Sequence, residues 1–239
     1  AGLYAQTFDI VERRDFWNAG RNVNGLRMDS LTVSYAELLG NYTGGSFRDV
    51  SDPVSLWSAG AEAGTITHLK KFSMIGAFSF RNTEERKACG SMSASPGLYP
   101  VDIYEFTPGR KTRQTYSFMG GITVDLNDSW RIGGKMDFTA ENYTKRRDLR
   151  HTDYLLDMTV APGLMWHNGD LAVGANYIFT KTSETITAEE LGITSGVYYA
   201  FIDKGMMYGV RDIWDNSSLH IREAGVSGFP SRELSHGAA

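Results

Sequence analysis

In several parts of this sequence, charged side chains are confined to alternate positions. In residues 130–140, Arg131, Lys135 and Asp137 occupy odd positions, while the even positions are apolar or small. Because successive side chains of a strand point to opposite faces, this spacing gathers the charges on one polar face. Charges on an enclosed face can pair across strands, hold water or select ions. The candidates for such a polar lining are Glu62, Asp125, Arg131, Lys135, Asp137, Glu141, Asp153 and Asp157.

Motifs for catalysis or metal binding are absent from the sequence. It contains no GxGxxG, phosphate loop, HExxH, CxxC or GxSxG pattern, and its histidines are scattered. Asp148, His151 and Asp153 lie near one predicted strand end, where a hydrolase at a barrel rim would carry acidic and imidazole groups. We therefore predict no metal, no cofactor and no enzymatic activity, with a rim hydrolase as the alternative.

Composition excludes two classes of protein. The net charge is −4 and the pI is near 5.8, so no basic surface for nucleic acid is predicted. Mean hydropathy is −0.30, and no apolar run approaches the ~18–20 residues of a membrane helix. The single cysteine, Cys89, falls in a predicted loop and is interpreted as an inert packing residue.

The polar positions require strands to place them, and the sequence predicts about seven. The central hairpin covers residues 116–143 and turns at 127–129, where Asn, Asp and Ser favour a turn. One face of this hairpin carries the charged residues, and the opposite face is apolar throughout. The predicted strands span 31–42, 56–68, 72–81, 116–126, 130–143, 153–166 and 171–182.

Three features favour a transmembrane β-barrel over a soluble β-sandwich of similar composition. Tight connections at 69–71, 127–129 and 167–170 alternate with longer ones, as in an up-and-down barrel. The predicted strands are mostly longer than the ~5–6 residues of soluble strands. Aromatic residues abut the tight turns on the apolar face, as an interfacial girdle would: Phe72, Trp130 and Trp166. We predict an all-β, antiparallel, up-and-down transmembrane barrel with its tight turns in the periplasm.

The predicted organisation has two parts. Residues 1–30 combine the end of a secretory signal, with Ala5 as a cleavage site, and a periplasmic segment that either leads into the barrel or plugs it. Residues 31–239 are the N-terminal portion of the barrel, with long extracellular loops at 82–113 and 183–235. Seven strands cannot close a bacterial barrel, so we expect either an eighth near 197–202 or a larger barrel of which this chain is one part.

One long run resembles a known family. The segments SYAELLGNYTGGSFRDVSDPVSLWSAGAEAGTITHLKKFSMIGAFSFRN and YPVDIYEFTPGRKTRQTYSFMGGI resemble an uncharacterised family of outer-membrane β-barrel proteins from Bacteroidota. This resemblance implies the outer membrane as location and a longer barrel as architecture. It implies no substrate and no catalytic residue.

Two functions follow as expectations. One is passage of small solutes, or a role within an outer-membrane complex. The other is a surface-binding or assembly barrel whose loops contact a glycan, a peptide or a partner protein. Expected partners are outer-membrane lipid and other outer-membrane or periplasmic proteins. Aromatic residues that could stack on a ligand, or simply pack a loop, are Tyr198, Tyr199, Phe201, Tyr208 and Trp214.

Overall fold

The computed structural model describes residues 2–13, 15–98, 102–147, 149–169, 171–189, 199–203, 211–215 and 229–238. Two α-helices and a 3₁₀ helix open the chain: α1 (Leu3–Arg13), α2 (Phe16–Ala19) and Val23–Met28. The strands that follow are β1 (Val33–Gly44), β2 (Ser55–His68), β3 (Phe72–Ser91), β4 (Asp102–Asp125), β5 (Trp130–Lys145), β6 (Arg150–Asn168), β7 (Leu171–Glu189), β8 (Tyr199–Asp203), β9 (Arg211–Asp215) and β10 (Phe229–Ala238).

All the described strands belong to one antiparallel sheet. Its main path runs β1-β2-β3-β4-β5-β6-β7-β10, so successive strands are neighbours and turn back on one another. This confirms the predicted all-β, antiparallel, up-and-down arrangement. Among the described strands, β1 and β10 form the two edges of the path and do not pair with each other.

The two faces of the sheet differ sharply in chemistry. One register row across β3 to β6 reads Phe78, Phe118, Phe138 and Met158. The next row reads Ser79, Ser117, Thr139 and Asp157. We call the face of the first row the open face, because Phe78 and Phe118 are 50% and 46% exposed there. The second row lies on the covered face, against which the N-terminal helices pack.

The predicted loop at 82–113 was wrong in extent. β3 continues to Ser91 and β4 begins at Asp102, so only residues 92–101 connect them. Residues 82–91 and 102–113 mix charged, polar and apolar side chains without regular alternation, so their strand character was not visible in the sequence. Long-range pairing between β3 and β4 provides the hydrogen bonds that extend the strands.

The predicted irregular region at 183–235 was wrong for the residues that the structure describes, which lie in strands. β7 continues to Glu189, and β10 is the eighth strand of the main path. A strand does lie near the predicted position 197–202, but this strand, β8, pairs with β4 and β9 beside the main path. The main path thus has eight strands, where about seven were predicted with an eighth as one alternative.

The N-terminal helices lie across the covered face near the tight turns. Phe8 and Val11 are one helical turn apart on α1, and both are buried. They join an apolar cluster with Val23 and Leu26 of the 3₁₀ helix and with sheet residues Val33, Ile66 and Ile75. The N-terminal segment therefore packs on the covered face, and its assignment as a lead-in or a plug stays a prediction. Within the described residues, no helix has the length and apolarity required to span a membrane.

Asp15 separates the first two helices. Its carboxylate accepts hydrogen bonds from the backbone N–H groups of Trp17 (3.1 Å) and Asn18 (3.0 Å), which caps the start of α2. The cap thus satisfies two backbone N–H groups in the first turn of α2.

Candidate functional site

The covered face carries all eight charged residues that the sequence singled out as a polar lining. Each is buried or half-buried in the structure: Glu62, Asp125, Arg131, Lys135, Asp137, Glu141, Asp153 and Asp157. The strand register places them on one side because each belongs to the same alternating set. Most of them contact a partner on the N-terminal segment or a neighbouring strand.

Near the tight turns, the 3₁₀ helix binds the sheet through an arginine. The Arg27 guanidinium forms an ion pair with Asp125 and donates to the Leu69 carbonyl at 2.8 Å. Arg131 donates to the other carboxylate oxygen of Asp125 at 3.1 Å. Asn24 of the same helix accepts from the Thr123 hydroxyl at 2.6 Å. At this end of the sheet, the charged residues that we predicted to line a lumen form contacts with the chain's own 3₁₀ helix.

Farther along the strands, α1 and the turn after α2 add two more ion pairs. Lys135, which is 5% exposed, donates to Glu12 at 2.7 Å. Arg21 donates to Asp137 at 2.5 Å. Both connect a helical segment to β5, so the N-terminal segment is fixed on the covered face by charge as well as by apolar packing.

A cavity of about 300 Å³ lies on the covered face beyond these ion pairs. Glu62, Asp137, Ser79, Ser117 and Thr139 belong to its wall, and α1 contributes Phe8 and Glu12. A smaller cavity of about 250 Å³ shares Glu12 and Asp137 with it. These cavities are polar spaces between the sheet and its helical cover.

At the far end of the strands, a third group of charges closes around Tyr143. Arg113 donates to Glu141 at 2.7 Å and to the Ala94 carbonyl at 2.8 Å. Its guanidinium carbon lies 4.6 Å from the centroid of the Tyr143 ring. Ala94 comes from the segment after β3, which folds inward over the sheet and packs on Tyr143 and Leu155. This end of the covered face is therefore also filled.

A buried ion cluster that sequence reasoning missed lies beside this group. Lys145 donates to Glu105 at 2.6 Å, and the Lys111 ammonium lies 3.5 Å from the other oxygen of the same carboxylate. All three side chains have no exposed surface. Burial lowers the pKa of Lys111 and of Lys145, while Glu105 opposes that shift. One signal in the sequence could have revealed this cluster. Lys111 and Lys145 occupy odd-numbered positions, like the other residues of the polar face, but they fall in segments that we predicted as loops.

His151 lies in the same buried region. It is 2% exposed, and its ring packs edge-on against Tyr143 at 5.6 Å. Burial and the nearby lysines hold the pKa of His151 well below its usual value. The imidazole is therefore neutral and enclosed, which argues against its use at an open catalytic rim. Of its proposed partners, Asp148 lies outside the described residues.

Asp153 instead pairs with a second carboxyl group, that of Glu184. Both accept a hydrogen bond from the Ala94 backbone N–H, at 2.5 Å and 3.0 Å. Glu184 also accepts from the Ser93 hydroxyl at 2.7 Å. Burial and the adjacent Glu184 raise the pKa of Asp153 to about 9. At neutral pH this pair carries a proton and stabilises the inward fold of the segment after β3.

Cys89 was predicted in a loop, and this was wrong, because it lies near the end of β3. Its thiol is buried and donates to the Val50 carbonyl at 3.3 Å. Burial raises the pKa of the Cys89 thiol, which disfavours the reactive thiolate. No cluster of potential metal ligands occurs within the described part of the chain.

The aromatic candidates from the predicted loop divide into two groups. Tyr198 and Tyr208 lie outside the described residues, and the structure places Tyr199 and Trp214 only as positions on β8 and β9. Phe201 packs edge-on against Phe106 of β4 at 5.8 Å between ring centroids. That contact matches loop packing, and ligand stacking by this set stays a prediction.

The aromatic residues beside the tight turns all lie at strand ends. Phe72 begins β3, Trp130 begins β5, and Trp166 is paired in register with Trp130 on β6. Trp130 is 40% exposed on the open face. A second set of aromatic residues, which we did not predict, occupies the opposite edge of the apolar surface: Tyr42, Trp57, Phe80, Tyr116 and Tyr154.

Comparison with known proteins gives one match. Residues 25–225 match the model of a family of unknown function, DUF6850. No curated protein and no solved structure matches the chain. The family description states no location or organism, so the resemblance to Bacteroidota outer-membrane proteins stays a prediction.

Proposed function

The chain belongs to the family of unknown function DUF6850, and we propose that its sheet is part of the wall of a β-barrel in the bacterial outer membrane. The support is an inverted distribution of side chains. The covered face carries the charges, whereas the open face is apolar and exposed, with Ile122 and Ile132 each at 47%. Exposure of these apolar side chains to water is unfavourable in free energy, whereas their contact with the hydrocarbon of a bilayer is favourable.

The apolar surface is a band of limited height. On β4 its members run from Val124 at the turn end to Tyr116, roughly 27 Å along the strand. Beyond Tyr116 the open face of β4 continues with Gln114 and Thr112, which are polar. A strand tilt of ~40° makes the band on the order of 20 Å tall, close to the ~25 Å apolar band of outer-membrane barrels.

The two aromatic edges of this band are the observation that carries the proposal. Phe72, Trp130 and Trp166 lie at the turn end, and the far edge carries Trp57, Phe80, Tyr116 and Tyr154 on β2, β3, β4 and β6. The register rows of these far-edge residues cross β3 at Glu84, Phe80, Phe80 and Asn82, so the edge stays within four residues along these strands. On β7 the band ends earlier, at Phe179. Aromatic rings at both edges of an exposed apolar surface are typical of the two interfaces of a membrane protein.

Within this proposal, the packing favours a binding or assembly role over free passage. The N-terminal helices occupy the covered face at the turn end, and the segment around Ala94 occupies it at the far end. Most charges that would guide a solute are paired with groups of the chain itself. Passage of small solutes is the second candidate, and the 300 Å³ cavity between the two fillings is the feature that favours it.

Two neighbouring residues on opposite faces of β4 test the location. Single cysteines at Phe118 and Ser117, in a Cys89→Ala background, would each carry a fluorophore in protein reconstituted into phosphatidylcholine vesicles. We expect nitroxide-labelled lipid to quench the label at Phe118→Cys strongly and the label at Ser117→Cys weakly. Equal quenching at both positions, or none at Phe118→Cys, would refute the membrane proposal.

Planar bilayers separate the two functions. We expect the unaltered protein to insert without stepwise conductance, because both ends of the covered face are filled. Regular conductance steps would instead support passage of solutes.

A further inference from the structure

A cavity of about 530 Å³ opens on the open face just beyond the far edge of the apolar band. Its floor includes one register row of threonines from β4 to β7: Thr112, Thr144, Thr152 and Thr187. Gln114 and Asn142 line it from the adjacent row. Hydroxyl and carboxamide groups can both donate and accept hydrogen bonds, so the floor suits a ligand rich in oxygen.

The charge of this cavity is positive. Arg146 and Arg150 lie in its wall; Arg146 is exposed and Arg150 is half-buried. Lys145 also borders it, but its ammonium is bound by Glu105 on the covered face. The described residues that line the cavity include no carboxylate. An anionic group with several oxygen atoms is therefore its natural complement.

A second cavity of about 480 Å³ connects this basic site to the apolar band. It shares Thr112, Gln114 and Arg146 with the first cavity, reaches Phe80, and is also lined by Arg110, which forms an ion pair with Glu84. The Phe80 ring packs against Tyr116 at 4.9 Å, at the edge of the band. A groove thus runs from aromatic, apolar surface to the two arginines.

We propose that this groove binds the phosphorylated headgroup of a membrane lipid whose acyl chains lie along the apolar band. The inference rests on the proposed function, because only a bilayer around the band presents headgroups at this height. Arginine suits the role because its planar guanidinium pairs with two phosphate oxygens at once. The continuity of basic and apolar surfaces selects a lipid over a soluble anion.

Lipid retention in detergent solution tests the proposal without requiring insertion. Native mass spectrometry would measure lipid A, a phosphorylated glycolipid, that stays bound to the protein after delipidation. We expect Arg146→Gln/Arg150→Gln to retain less lipid A by about tenfold or more. The control, Lys70→Gln/Lys71→Gln, removes the same charge at the exposed tight turn and should retain lipid A like the unaltered protein.

Two results would overturn the lipid site. One is equal retention by the arginine variant and the unaltered protein. The other is an equal rise in thermal midpoint with inorganic phosphate and with lipid A, since a free anion would then suffice. Flotation with phosphatidylcholine vesicles distinguishes failure of the lipid site from failure of the proposed membrane location. A protein that floats but shows either result loses only the lipid site, whereas one that never floats loses the membrane function.

Discussion

Buried charges on the covered face are partnered in small groups, and their placement decides their energetic role. The Glu105 carboxylate contacts two lysine ammonium groups at once, whereas Asp153 and Glu184 share one backbone donor. The first group stabilises through opposite charge. The second is stable only while one of its two carboxyls holds a proton.

Removal of the Glu105 charge would leave two buried ammonium groups without their carboxylate. We expect Glu105→Gln to destabilise the protein by about 3–5 kcal/mol, as seen when one partner of a buried ion pair is lost. The matched control is Glu84→Gln, whose partner Arg110 is 64% exposed on its side chain. That change should cost at most about 1 kcal/mol. Urea unfolding followed by tryptophan fluorescence would measure both, and equal effects would contradict the stabilising role of the cluster.

Asp153 makes stability depend on pH with a definite sign. The folded-state pKa of about 9 lies above the ordinary aspartate value of ~3.9, so the folded state holds this proton more tightly. The stabilisation is complete below about pH 4 and is lost as the pH rises toward 9. We expect Asp153→Asn, which keeps a neutral group there, to reduce the fall in thermal midpoint between pH 5 and 9.

The control for this pH prediction is Asp128→Asn in the exposed turn between β4 and β5. It should leave the pH dependence of the thermal midpoint unchanged. An identical pH profile for Asp153→Asn and the unaltered protein would show that the carboxyl pair does not share a proton.

At the scale of elements, the N-terminal segment fits the sheet through close contacts at glycine. A Cβ atom at Gly133 would lie 2.7 Å from Val23, 2.8 Å from the Asn24 side-chain oxygen and 2.7 Å from the Ile122 carbonyl oxygen of β4. Its neighbour Gly134 points to the open face, where a Cβ would meet nothing closer than 3.9 Å. The sheet therefore provides a recess for the 3₁₀ helix on one face only.

Gly133→Ala should displace the helical cover, and Gly134→Ala should not. The expected readout is faster tryptic cleavage at Arg21 and Arg27 in the Gly133→Ala protein, because a detached segment exposes those bonds. Strands away from the Ile122 contact should stay protected. Equal cleavage in both variants would mean that the cover is not held by this contact.

At the scale of the whole molecule, the apolar band sets where a charge is tolerated. Phe118→Arg places a cation in the middle of the band and should cost about 2–4 kcal/mol in phospholipid vesicles. Gln114→Arg lies on the same strand and the same face beyond the far edge, and should cost at most about 1 kcal/mol. Folding into vesicles in a urea series would measure the difference. A similar loss of folding free energy at both positions would contradict the proposed boundary of the membrane between Phe118 and Gln114.

The sequence alone determined which side chains share a face. Alternation is a local property, because each residue's direction follows from its parity along the strand, and the rows of β3 to β6 obey it. The central hairpin, the tight turns and the eight charges of one face were predictable for this reason. The strand extensions around Ser91 and Asp102 were not, because polar and apolar residues do not alternate regularly there.

Only the tertiary structure decided what each face contacts. The helices cover the charged face through ion pairs such as Lys135–Glu12, which join residues over a hundred positions apart. The cluster of Glu105, Lys111 and Lys145 exists because strand pairing aligns distant segments. No local pattern encodes such pairings, since their stability comes from burial and from charges that the fold brings together.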